Sequence, residues 1–230
     1  MKTLVGGPVA EQFMDLAVVN AGTKVLLGDA ERLDSMVRPD VLSCQVELRH
    51  TALKLAALVG DETRPSPYEK HSAARALVAP LIGKLTKVRD LAAKRSEQLR
   101  TDALLAADEQ FGPKADKAGL HSEARAWVRE QVKAGHLDIV KMTMVADQSC
   151  AEIVYHSPSY LLGLVPNVHA NLRLEMLETV RPDLFGKLAS SADLDATASK
   201  LDAVIQKLPH VAYSEATIKQ ATAKRVEVGA

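Results

Sequence analysis

From Val78 to Leu99 the apolar residues fall at alternating steps of three and four: Val78, Leu81, Leu85, Val88, Ala92, then Arg95 in an apolar position, then Leu99. That spacing lays one stripe along a helix; a strand, whose faces alternate at every second residue, cannot bury it. The segment opens at Ser66-Pro67-Tyr68-Glu69, which reads as a capping box with proline at the first helical position. One helix is therefore expected over 67–111, roughly 65 Å long at 1.5 Å per residue. Pro80 should kink it near Ala76, because proline removes a backbone bond and crowds the carbonyl four residues back. A charge in a coiled-coil-like seam allows two outcomes. Either this is a bundle helix whose inner face frays near Arg95, or it is an arm that pairs with another subunit through Leu85, Val88 and Leu99, with Arg95 setting the register.

The same rhythm recurs elsewhere. A stretch from Pro8 to Leu27 carries Phe13, Leu16, Ala17, Ala21 and Val25 and ends at Gly28; Asp29 caps a short helix; Val41, Cys44, Leu48, Ala52, Leu55 and Val59 form a second stripe closed by Gly60. Ser122 reads as the cap of a helix to Ala134, ended by Gly135. A broad apolar helix follows from Leu137 to Tyr155, wide enough to suggest burial on two sides. "PDLFGKLA" reads as a short segment, and a separate helix from Asp193 stops at Pro209. Glycine is scarce and there are only one Trp, four Tyr and three Phe in 230 residues. The expected fold class is all-α: an elongated helical bundle with one long kinked helix. Three regions are expected: N-terminal helices over 1–112, a C-terminal bundle over 113–212, and a tail or arm over 213–230.

"HSPSYLLGLVPN", residues 156 to 167, gathers helix breakers and apolar side chains in one place. Pro158 should end one helix and Pro166 start the next, with Tyr160, Leu161, Leu162 and Leu164 as anchors of the reversal between them. The alternative is that these four residues lie exposed and dock a partner.

Charge excludes some classes of function. Lys plus Arg and Asp plus Glu each number 29, so the whole molecule exerts no net pull on nucleic acid or an anionic membrane. The one local excess is basic: Lys84, Lys87, Lys94 and Arg95 could contact phosphates, with salt-sensitive and sequence-indifferent binding. Aromatic interleaving and a reading motif are missing, which favours an exposed helix face over a nucleic-acid site. Met1–Ala10 is too short for a signal peptide's apolar region and no run approaches the ~18 residues of a membrane span. The expected place of synthesis is the cytoplasm.

Little points to catalysis. Cys44 and Cys150 match no metal spacing and read as buried packing thiols. Glu47 and His50 have the Glu-x-x-His spacing of a di-iron helix, but the second copy and further glutamates such a site needs are missing, and both fall opposite the apolar stripe. Glu152 and His156 are likewise assigned to a solvated face. No phosphate loop, nucleophile elbow or dinucleotide fingerprint occurs. The expectation is a protein without catalytic, metal or cofactor site.

"HSEARAWVREQVKAG", followed some twenty residues later by "AEIVYHSPSYLLGL", resembles the pattern of small helical proteins encoded among the structural genes of tailed bacteriophages. The resemblance covers residues 121–190. It implies a virion component, such as an internal or ejected protein or a head or tail accessory, assembled into a homo-oligomer or with other virion proteins. It supplies no site residues.

Overall fold

The computed structural model describes residues 1–228, apart from the side chains of residues 222 and 224–228. Among the described residues there are ten α-helices and no strand, so the all-α class stands. Two compact units divide the chain: Met1–Ser96 together with the residues from Ala192 onward, and Glu97–Ser191.

The first unit holds α1 (Pro8–Ala17), α2 (Asn20–Leu27), α3 (Arg38–Val59), the start of α4 (Pro67–Phe111), the end of α9 (Pro182–Ala212) and α10 (Glu215–Val228). The second holds the rest of α4, then α5 (Ala118–Lys133), α6 (Leu137–Ala146), α7 (Gln148–His156), α8 (Pro166–Val180) and the start of α9. The divisions fall inside α4 and α9, away from the expected boundaries at 112 and 212. A compact unit is set by which helix faces pack together, and a helix as long as α4 or α9 can give one stretch of its stripe to each unit. Turn composition therefore marks helix ends here and leaves unit ends unmarked.

In the first unit Phe13, Met14, Leu27, Leu48, Leu81, Leu85 and Leu201 are fully buried. Polar ties join its elements. Lys84 bonds Glu47 and Ser43 on α3, Arg89 Nη1 reaches Asp202 on α9 at 2.9 Å, and Gln45 Nε2 donates to the buried Gly28 carbonyl at 2.7 Å. The tail expected over 213–230 begins as a docked helix: the Ser214 amide donates to His71 Nδ1 at 3.1 Å, and Ile218 is buried. Val226, another large apolar residue that this tail offers for burial besides Ile218, lies outside the described side chains.

Several helix limits differ from the sequence reading. The stretch 8–27 breaks at Val18-Val19 into α1 and α2, which fold against each other closely enough that a Cβ on Gly22 would stand 2.0 Å from the Leu16 carbonyl oxygen. Pro209 stays within α9, where it sits so near the end that the loss of one amide costs only one bond; its own carbonyl still accepts from the Tyr213 amide at 3.2 Å. "PDLFGKLA" and the helix expected from Asp193 are one continuous α9. Helix α5 begins at Ala118, four residues before Ser122, preceded by a 3-10 turn over Ala115–Lys117. Its C-terminus follows expectation: Gly135 has φ of 78°, and the amides of Gly135 and His136 return to Val132 and Gln131 in a Schellman arrangement. Finally, the broad helix 137–155 is two helices, because the Asp147 side chain caps a new start by accepting the Ser149 and Cys150 amides at 2.7 and 3.2 Å.

Candidate functional site

The break at Asp147 gives α6 and α7 different surroundings. Six of the nine residues of α7 are buried, Glu152 among them. Its carboxylate has no solvent exposure, and five contacts surround it: Oε1 accepts from Lys114 Nζ (3.3 Å), Lys117 Nζ (3.1 Å) and Gln148 Nε2 (3.1 Å), Oε2 from Lys117 Nζ (3.2 Å) and His121 Nε2 (3.0 Å). A buried carboxylate persists only when it is paired and hydrogen-bonded. Burial pulls its pKa up, yet the hydrogen bonds from Lys117, His121 and Lys114 outweigh burial and hold the carboxyl below its ordinary range. An ionised carboxylate only accepts, so His121 carries its proton on Nε2.

Several polar groups around this cluster are also engaged. The His121 ring lies 5.3 Å from that of His156, whose Nδ1 meets the Phe111 carbonyl at 3.1 Å. Tyr155 donates to Asp108 at 3.0 Å and lies under the Arg173 guanidinium, 4.4 Å from its ring centroid, while His169 Nε2 meets the Val154 carbonyl at 2.7 Å. With Glu152 and His121 both closed to solvent, the arrangement pins the 114–121 segment to α7.

The sequence reading placed Glu152 and His156 on a solvated face; the structure corrects this. The error follows from starting α5 at Ser122, which leaves His121 outside the helix and hides the spacing of Lys114, Lys117 and His121, three and four residues apart on one side of the segment. A second signal was Glu152 itself, the one charge inside "CAEIVY". Glu47 is part-exposed and bonded to Lys84, and His50 is exposed, so the two are not brought together as ligands. Cys44 and Cys150 are buried free thiols, as expected, and burial pushes them up to about 11 and about 12.

The interface candidates separate. Leu85, Val88 and Leu99 are buried within the chain, and Arg95 bonds Asp34 of the same chain at 3.1 Å, so this seam is filled and does not lie open to another subunit. In the 156–167 turn, Leu162 and Leu164 are buried, Leu161 is half-buried and Tyr160 is exposed. The reversal is thus anchored internally, with one aromatic left outside. Of the proposed phosphate contacts, Lys84 and Arg95 are held by Glu47 and Asp34, leaving Lys87 and Lys94 exposed.

Among the described residues, exposed apolar side chains occur on several helices, and on α6 three of them fall on one side. Ile139, Met142 and Val145, three residues apart, are 44%, 74% and 56% exposed, while Val140 and Met144 are buried and Leu137 packs against the core. Met142 and Val145 also line a groove of about 330 Å³ between α6 and α8, together with Met144, Met176, Lys141 and Glu175. No family model matches the chain, and no curated protein or solved structure is similar to it. No described helix is long and apolar enough to cross a membrane.

Proposed function

We propose that this chain is a structural or interaction protein that works by helical contacts between subunits, as a component of a tailed-phage particle. The observation that carries the reading is the outer face of α6. A ten-residue helix that is apolar on both sides and covered on one leaves a stripe that water solvates at a cost, and contiguous apolar surface of this kind marks interaction sites. The apolar width read from residues 137–155 as two-sided burial is, on α6, one side of core and one side of open surface. The phage assignment is supported by the helix-proline-aromatic-turn pattern over residues 121–190.

The test is assembly. Light scattering of the purified chain, together with sedimentation of tagged chain alongside particles from infected cells, should show self-association or incorporation. A chain that stays monomeric and never travels with particles refutes the reading.

A further inference from the structure

We infer that His71 is a proton-operated latch for the C-terminal helix: its neutral ring holds α10 to α4, and protonation of the ring lets α10 go. Helices α9 and α10 are separated by two residues, Tyr213 and Ser214. The Tyr213 amide returns to the Pro209 carbonyl, while the Ser214 amide crosses to α4 and donates to His71 Nδ1 at 3.1 Å. A ring nitrogen that accepts from an N–H carries no proton, so this contact exists only with a neutral imidazole whose proton is on Nε2. Adding a proton to Nδ1 sets two donors against each other. His71 is 7% exposed, so the ring cannot turn its new charge to water while α10 stays in place.

Helix α10 leans on this corner. The Ser214 hydroxyl and carbonyl start the helix by accepting from the Thr217 and Ile218 amides, so the residue bonded to His71 is also the one that caps α10. Ile218 is the one buried residue among the described side chains of α10, and a helix of 14 residues is marginal in water without such support. The charged groups at the junction are engaged elsewhere. Arg75, one turn from His71 on α4, pairs with Glu215 on α10 at 3.6 Å, and both are about half exposed. Lys70 donates to the Val59 carbonyl of α3 at 2.9 Å, and His210, one turn before Ser214 on α9, is exposed. The Tyr213 hydroxyl, pushed up by burial and by Glu215, stays neutral. Burial pushes the His71 pKa below the ordinary 6.5. Docking is therefore complete above about that pH and weakens as pH falls below it toward the docked value, by at most about tenfold per pH unit for one proton.

Hydrogen exchange of the full chain, read by mass spectrometry over residues 214–221 and corrected for the intrinsic pH dependence of exchange, tests the latch. Between pH 7.5 and 5 the opening of this segment should increase roughly threefold or more, while α3 in the same unit keeps its protection. His71→Asn places a carbonyl oxygen near the position of Nδ1 and cannot titrate, so it should remove the pH dependence. His210→Gln and Glu215→Gln should leave it in place, which separates the latch from an exposed histidine and from the Arg75 pair. A second measurement needs no variant: followed by NMR in the unaltered chain, the His71 ring should titrate below 6.5, over the range in which α10 opens. Opening that is the same at pH 7.5 and 5, a pH dependence that survives in His71→Asn, or a ring that titrates above 6.5 each overturns the inference.

Discussion

Replacing Glu152 with methionine keeps the length of the side chain and removes the acceptor on which four side chains converge. His121 is buried and cannot turn to water, so its Nε2–H is left without a partner, at about 1–3 kcal/mol for a buried polar group. Lys114 and Lys117 are 37% and 30% exposed, so they can swing outward and recover hydration, though the segment they tie to α7 then loses its anchor. Breaking a buried ion pair from one side typically costs ~3–5 kcal/mol, and the escape of the lysines argues for the lower end, about 3 kcal/mol. The one tryptophan of the chain, Trp127, lies on α5 and so reports on the unit that contains the cluster. In urea, the Trp127 fluorescence transition of Glu152→Met should fall by about 3 kcal/mol relative to wild type, while circular dichroism should retain a component from the other unit near its original midpoint. A Trp127 transition within about 0.5 kcal/mol of wild type, the range of an ordinary surface substitution, would mean that the cluster does not hold α5 to α7.

Other outcomes follow from the same structure. The folded-state pKa of Glu152 lies below its ordinary 4.5, so its contribution to stability is complete above about that pH and is lost as pH falls through the folded value; the acid limb of the Trp127 transition should be steeper in wild type than in Glu152→Met, and equal limbs would contradict the assignment. Gly22→Ala should destabilise the first unit by about 1–3 kcal/mol, since the new methyl would meet the Leu16 backbone and a backbone atom cannot yield as a side-chain tip can; thermal denaturation with an unchanged midpoint would count against the close α1–α2 turn. Cys44 and Cys150, pushed up to about 11 and about 12 by burial, should resist thiol reagents in the native protein at mildly alkaline pH and react in full once urea is added, whereas prompt native labelling of both would contradict their burial.

Local chemistry determined much of this molecule directly from the sequence. Steps of three and four made Val78, Leu81, Leu85, Val88 and Ala92 one buried stripe; Pro67, Pro166 and Gly135 marked helix ends; and Leu162 with Leu164 had to anchor the turn between Pro158 and Pro166. Each of these rests on a backbone preference or on a periodicity that acts within a few residues. Tertiary structure decided what lies opposite each face. Whether Arg95 would meet another subunit or Asp34 depended on a residue 61 positions away, and the burial of Glu152 depended on Lys114, Lys117 and His121 arriving from a segment whose helix start was misread by four residues. The apolar rhythm of α6 looked the same with its second side covered or bare. Periodicity specifies that a face is greasy, because that is a property of one helix; what covers it is a property of two surfaces meeting, and only packing fixes that.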